Sequence, residues 1–328
     1  MAVYTQLSTE ALARLIACYD VGRLVSAKGI AEGVSNSNWL IETTGPPEAG
    51  TAGRSARYIL TMYERRIDLS DLPFFLGLLD HLAAHRCAVP RTIHDRDGAA
   101  SREVEGKAVA LIEFLPGVSP DEPAPAQARA VGAAMARVHL AGLQFGMSRA
   151  NGLGPAQNLQ TLEDCGTGAL ATIDTKLPRA IEMAKEVSDR WPRDLPVSVI
   201  HSDLFPDNVL MLDEQVTGMI DFYFACTDAM AYDLAVTHAA WSFDRAGADY
   251  KPEVGRALVE GYEEVRPLEA DERAQLPILA RGACLRFVAS RSEDWLDTPD
   301  DALVTKKDPM DFLRRHDVYA NGGAALFA

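Results

Sequence analysis

Residues 199–222 read VIHSDLFPDNVLMLDEQVTGMIDF, and the rest of the chain is organised around them. Val197 to Ile200 leads into a polar loop that carries His201, Asp203, Asp207 and Asn208. A second apolar run, Val209 to Leu212, follows, and Asp213-Glu214-Gln215 turns the chain into a returning strand, Val216 to Ile220, that ends at Asp221-Phe222. Two short β-rich runs joined by a polar turn predict a hairpin. A hairpin brings its ends together, so Asn208, before one strand, is expected near Asp221, after the other. Asp203, Asn208 and Asp221 then converge on one small volume. Three oxygen-bearing side chains in such an arrangement suit a hard cation with a carboxylate base beside it.

His201, Asp203 and Asn208 have the spacing H-x-D-x-x-x-x-N, and Asp221-Phe222 sits where D-F-G sits in protein kinases. Ser202 replaces the usual Arg, and Tyr223 replaces the glycine. Both departures point to the small-molecule branch of the kinase-like fold. On SNSNWLIET, YILTMYERR, DLPFFLGLLDHLA, ARVHLAG, HSDLFPDNVL, LRFVASR and KKDPMDFLRR, which span nearly the whole chain, the sequence resembles the homoserine kinases of the aminoglycoside/choline phosphotransferase-like family.

That resemblance implies an α+β, protein-kinase-like two-lobed fold and an ATP- and Mg2+-dependent phosphorylation of L-homoserine to O-phospho-L-homoserine, a step of threonine biosynthesis. Asp203 is expected to accept the hydroxyl proton, because phosphoryl transfer needs little more than an aligned nucleophile and charge neutralisation. Asn208 and Asp221 would ligate magnesium, which favours carboxylate and amide oxygens and keeps several waters. His201 joins the catalytic loop as a hydrogen-bonding brace rather than a proton carrier. Asp207 does not fit the motif spacing and reads as loop structure or as a residue that supports the motif from behind. The resemblance also gives Asp233, at the start of the next helix, the task of holding the loop. His139 and His238, on predicted helices, read as satisfied histidines without chemistry.

The chain has 328 residues, 48% of them hydrophobic, ample for one large or two modest cores. Its net charge of -15 argues against nucleic acid or an anionic membrane as a partner, since both demand a basic face. The phosphates of a nucleotide must therefore meet locally placed cations. Five scattered cysteines with no C-x-x-C pair suit a reduced compartment. No basic-plus-apolar signal segment opens the chain and no apolar run is long enough to span a membrane, so a cytoplasmic protein is expected.

Ser8 is placed to cap a helix with Leu12, Leu15, Ile16 and Tyr19 on one face. β-like runs follow at 23–27, 38–43 and 57–63, then an exposed hairpin loop at 44–56, an amphipathic helix at 71–86 and a strand at 107–115. PGVSPDEPAP, residues 116–125, packs four prolines into ten positions and can hold neither helix nor central strand. The expected division is a nucleotide-binding lobe at 1–115, a linker at 116–125 and a helical lobe at 126–328 with the catalytic loop and acceptor site. Nucleotide is expected in the cleft near the linker.

The 29–37 loop would cover the phosphates, with Gly33 allowing close backbone approach and Ser35 and Ser37 donating hydrogen bonds. Thr61 stands where kinases carry the phosphate-binding strand lysine, and the next helix holds no glutamate to pair with one. Arg57, Arg65 and Arg66 are the nearby cations; Arg57 and Arg65 share a strand face with Thr61 if the strand is regular that far. Backbone groups around Glu113, Phe114 and Leu115 would meet the purine edge.

Homoserine is a zwitterion and calls for an arginine at its carboxylate. On the 279–296 segment, Arg281 shares a helical face with Cys284, Leu285, Val288, Ser292 and Trp295, and a charge there needs a partner. Arg281 is the first candidate for a carboxylate clamp and Arg286 the second; an internal salt bridge is the other reading. Two rival functions stay open: the same chemistry on an aminoglycoside, choline or methylthioribose, and a nucleotide-binding pseudokinase suggested by Thr61.

Overall fold

The computed structural model describes residues 7–30, 36–46, 55–64, 68–299 and 306–328. The chain divides into two compact units, Met1–Pro116 and Gly117–Ala328.

The first unit opens with α1 (Thr9–Ile16), whose N-terminus is capped as the sequence suggests: Ser8 Oγ accepts the Ala11 amide at 3.1 Å. Its strands are β1 (Leu24–Ile30), β2 (Asn36–Thr43), β3 (Ala56–Tyr63), β4 (Thr92–Ile93), β5 (Arg102–Val104) and β6 (Lys107–Glu113). They form one antiparallel sheet in the order β1-β2-β3-β6-β4, with β5 also on β6. Leu12, Leu15, Ile16 and Tyr19 pack on Trp39, Ile41, Leu60 and Leu111 of the sheet. The second helix, α2 (Leu72–Ala84), buries Phe74, Leu76 and Leu78 besides the expected Leu72, Phe75, Leu79 and Leu82, so it is apolar nearly all round.

Both ends of the 29–37 stretch expected to form the phosphate loop are strand. Gly29 and Ile30 pair with Trp39 and Asn38, and Asn36 and Ser37 pair with Tyr63 and Met62, so all four are strand residues. Gly33 and Ser35 of that expectation, and Arg65 and Arg66, lie outside the described residues.

The second unit is mainly helical: α3 (Pro125–Gly142), α4 (Pro155–Cys165), α5 (Thr167–Ile173), α6 (Ala180–Asp189), α7 (Met230–Trp241), α8 (Pro252–Glu263), α9 (Ala270–Asp297) and α10 (Met310–Gly322). Every residue of α7 is buried, which makes it the central helix of the unit. A Cβ at Gly132 of α3 would collide with the backbone of Leu258, and one at Gly261 of α8 with that of Arg129, so these glycines set how closely α3 and α8 approach. Pro125 occupies the first turn of α3, where its missing N–H costs nothing.

Two short antiparallel sheets carry the loop that opened the sequence. β8 (Val209–Leu212) and β9 (Gln215–Met219) form the expected hairpin, with Leu212 opposite Gln215, so the turn is Asp213-Glu214 alone. β7 (Val197–Ile200) pairs with β10 (Cys226–Ala229), a strand that local sequence pattern did not mark. Residues 117–125 of the proline-rich segment fall within the second unit, and Pro116 ends the first. Val118 exchanges both backbone bonds with Met211, and Ser119 Oγ donates to the Asp207 carbonyl at 3.2 Å.

Candidate active site

The loop between β7 and β8 is fixed from beneath by one carboxylate. Asp233, in the first turn of α7, is fully buried and accepts the amides of His201 at 2.9 Å and Ser202 at 2.6 Å. His139 Nε2 lies 2.9 Å from Asp233 Oδ2, and its Nδ1 lies 2.8 Å from the Tyr262 hydroxyl. Burial works to raise the Asp233 carboxyl, but the His139 hydrogen bond, the nearby imidazoles and the His201 amide outweigh it and hold the carboxyl below its ordinary value. His139, which the sequence offered no reason to single out, is thus part of the loop's foundation.

His201 is braced on both nitrogens. Nε2 lies 2.9 Å from the Ile220 carbonyl, and Nδ1 accepts the Asp203 amide at 3.2 Å. Burial pushes its pKa down, so the ring stays neutral with the proton on Nε2. This bond also ties the loop to the end of β9. The Ile220 amide donates to the Asn208 carbonyl at 3.0 Å, which brings Asn208 beside Asp221. The Asn208 amide nitrogen donates to the Asp203 carbonyl at 2.8 Å and reaches Asp203 Oδ2 at 3.4 Å. With its nitrogen so engaged, the side chain has its oxygen left for another partner.

Two non-glycine residues at this site adopt left-handed backbone, Ser202 at φ 67° and Asp221 at φ 65°. Such a conformation costs on the order of 1 kcal/mol and persists only where neighbours enforce it. Around Ser202 they do. Asp233 takes its amide, and Arg286 Nη1 donates to its carbonyl and, at 2.9 Å, to its hydroxyl.

Burial raises the Asp203 carboxyl, with Arg286, His201 and Lys307 opposing the rise and Asp207 adding to it. Asp221 keeps open surface, yet protein atoms crowd it, and that crowding with the charges of Asp203 and Asp207 raises its carboxyl too. Water offsets part of that penalty. A hard cation would offset the rest, and the donors present suit one. Among the described residues no cluster of three or more His, Cys, Asp or Glu side chains could hold a metal. Asn208 and Asp221 are oxygen donors of the kind that an ion keeping most of its water would take.

Neither arginine expected at the acceptor is unengaged. Arg281 makes a double ion pair with Glu186, Nη2 to Oε2 at 2.6 Å and Nη1 to Oε1 at 3.1 Å, and Nε approaches His316 at 3.2 Å. The internal salt bridge is what the structure shows. Arg286, expected to project away from the apolar face, is the more buried of the two at 2% exposure, against the rings of Phe224 and Phe287 and 3.6 Å from Asp203 Oδ1. The helical projection failed because α9 is buried on almost every side from Ile278 to Ala289.

In the first unit, Thr61 is buried on β3 and donates its hydroxyl to Asn38 Oδ1 at 2.8 Å. Ser37 is fully buried and donates to Glu64 Oε1 at 2.8 Å; Glu64 in turn pairs with Lys107 of β6. Glu113 ends β6, its amide bonded to the Arg91 carbonyl at 2.9 Å and its carboxylate to the Arg91 guanidinium. Arg57 lies over the Phe114 ring at 4.3 Å, and Leu115 follows next in the chain.

Residues 26–268 match the sequence profile of the phosphotransferase enzyme family. The chain is 46% identical over 326 residues to homoserine kinase of Acidiphilium cryptum (strain JF-5), covering 99% of this chain and 98% of that one. It is 47% identical over 324 residues to homoserine kinase of Gluconacetobacter diazotrophicus, covering 96% and 95%. Among solved structures, the amicoumacin kinase hAmiN in complex with AMP-PNP, Ca2+ and Ami superposes with a TM-score of 0.70 at 14% identity, over 98% of this chain and 96% of that one. Choline kinase from Cryptosporidium parvum Iowa II superposes with a TM-score of 0.64 at 13% identity, over 97% and 96%. At these identities the structural likeness speaks for the fold, the α+β kinase-like fold.

Proposed function

This chain belongs to the phosphotransferase enzyme family, and from that premise we propose that it transfers the γ-phosphoryl group of ATP to the hydroxyl of L-homoserine. The products are O-phospho-L-homoserine and ADP, and the reaction places the protein in threonine biosynthesis. The observation that carries the chemistry is the joining of Asp203, Asn208 and the end of β9 through the 2.8 Å and 3.0 Å bonds of Asn208. The acceptor is carried by the likeness to homoserine kinases over nearly the full chain.

In this reading Asp203 accepts the hydroxyl proton as the new O–P bond forms and the bond to ADP breaks. Its raised pKa makes it a stronger base than an ordinary carboxylate. Arg286 and Asn208 hold Asp203 in position, and neutral His201 keeps the loop closed on β9 without carrying a proton. Asn208 and Asp221 would hold Mg2+, which neutralises phosphate charge when bound. Asp233 is the loop's anchor. Glu113, Phe114 and Leu115 would present backbone to the purine, while the buried hydroxyls of Ser37 and Thr61, expected at the phosphates, are engaged by Glu64 and Asn38. Thr61 brings no charge to that task, so the nucleotide depends more heavily on the metal. Among the described residues no helix is long and apolar enough to cross a membrane, and we place the enzyme in the cytoplasm.

A coupled ADP-release assay across L-homoserine, choline, kanamycin and methylthioribose, with and without magnesium, tests the reading. Magnesium-dependent release with homoserine is expected. Release with another acceptor alone refutes the substrate, and no acceptor-dependent release at all favours a pseudokinase.

A further inference from the structure

The far end of α7 also reaches the catalytic loop. Trp241 is the last residue of that helix and is fully buried, and its indole Nε1 donates to the Leu204 carbonyl at 2.9 Å. An indole nitrogen can only donate, and when buried it needs an acceptor. Here that acceptor is the backbone of the residue that follows Asp203. A phenylalanine would fill much of the same space with no polar atom to satisfy. The indole brings one and commits it to the loop.

At the other end of the same helix, Asp233 takes the amides of His201 at 2.9 Å and Ser202 at 2.6 Å. From Asp233 to Trp241 the helix rises about 12 Å. Extended backbone from Ser202 to Leu204 covers at most about 7 Å, and the long indole side chain spans the remainder. The loop therefore lies lengthwise on α7, pinned before Asp203 and again after it. Ser202 and Leu204 are buried, while Asp203 between them keeps open surface. Phe205 extends the constraint. Its amide donates to the Asp203 carbonyl at 2.8 Å, and its ring meets that of Phe287 edge-on at 4.9 Å.

We propose that Trp241 is a positioning residue for phosphoryl transfer, its indole N–H fixing the backbone beside Asp203 so that the carboxylate meets the acceptor hydroxyl. The proposal rests on the reading of Asp203 as proton acceptor and adds a second point at which α7 controls it. Asp233 sets where the loop begins. Trp241 sets the orientation of the peptide that leaves Asp203, and rotation of that peptide would swing the carboxylate. A misplacement of about 1 Å at a reacting group can cost about 10²-fold in rate. Being fully buried, Trp241 acts through the loop alone.

The test uses Trp241→Phe and a second protein with benzothienylalanine at Trp241, which keeps the bicyclic shape and puts sulfur in place of the N–H. Kinetics are read on L-homoserine, or on whichever acceptor the ADP-release panel supports. Both proteins should lose about 10- to 100-fold in kcat, with the KM of ATP and of the acceptor within about twofold of wild type. Each change is also made on Asp203→Asn. With the base already gone, it should cost less than about twofold more. A merely structural tryptophan gives a different result: a lower melting temperature with kcat intact, or the same loss of kcat with and without Asp203. Either result overturns the proposal, as does a loss carried by KM. If Trp241→Phe does not fold, the sulfur analogue decides, and failure of both to fold assigns the bond to the fold alone and also overturns it. Undiminished turnover in Asp203→Asn by itself refutes the base, and Trp241 falls with it. A large loss in Asp203→Asn with an additive loss in the double variant refutes Trp241 only.

Discussion

Arg286 holds Asp203 from inside the protein: its Nη2 stands 3.6 Å from Asp203 Oδ1 while its Nη1 is spent on the carbonyl and hydroxyl of Ser202. An arginine so placed positions the base and does not bind the acceptor. Arg286→Met should therefore lower kcat by about 10- to 100-fold with the homoserine KM nearly constant. It should also destabilise the protein by about 3 kcal/mol, because buried acceptors lose their donor. A rise in KM at constant kcat, from steady-state kinetics, would return Arg286 to the acceptor site.

Asp203→Asn keeps the shape of the loop and removes the base. Turnover should fall by about 10²- to 10⁴-fold, the usual worth of a general base. Nucleotide affinity by titration calorimetry should be unchanged. Substantial remaining turnover would assign the proton to another group.

Asp233→Asn tests the anchor. The carboxylate accepts two amides and an imidazole, and an asparagine must turn its NH2 toward one of those donors. We expect a loss of about 2–4 kcal/mol in urea unfolding, together with reduced kcat. Unaltered stability with reduced kcat would mean that Asp233 touches the chemistry directly.

Acid should weaken the second unit through its buried histidines. Burial pushes His238 down to about 3, and burial with the Arg281 charge pushes His316 down to about 4. The folded pKa lies below the unfolded value of about 6.5, so the unfolded chain takes up protons first. The contribution of each neutral histidine is whole above pH ~6.5 and is lost as pH falls, at about 1.4 kcal/mol per pH unit, until the folded form also protonates. The urea midpoint should fall between pH 7 and pH 5, and His316→Gln should make that fall shallower. A midpoint constant over this range contradicts the assignment.

The catalytic hairpin was legible because its evidence is local: apolar runs, a polar turn and a fixed spacing set Asn208 beside the end of β9. The Ser8 cap and the Leu12–Tyr19 face were legible for the same reason. What the sequence hid depends on partners distant in the chain. β10 has four residues, and its partner β7 lies more than twenty residues earlier, so no local period announces it. Thr61 meeting Asn38, and Ser37 meeting Glu64 and Lys107, depend on sheet register. Arg281 and Arg286 could not be sorted by helical phase because α9 has little polar face against which to set that phase.

The anchoring of His201 and Ser202 on Asp233 bears on how this protein can change over generations. Substitutions beneath the catalytic loop are charged twice, against folding and against turnover, so they are strongly constrained. Side chains that face water and support no buried partner carry no such double burden. A lineage shifting to a new acceptor can alter them while the loop stays as it is. The route to new specificity therefore runs through the rim of the site and leaves its foundation intact.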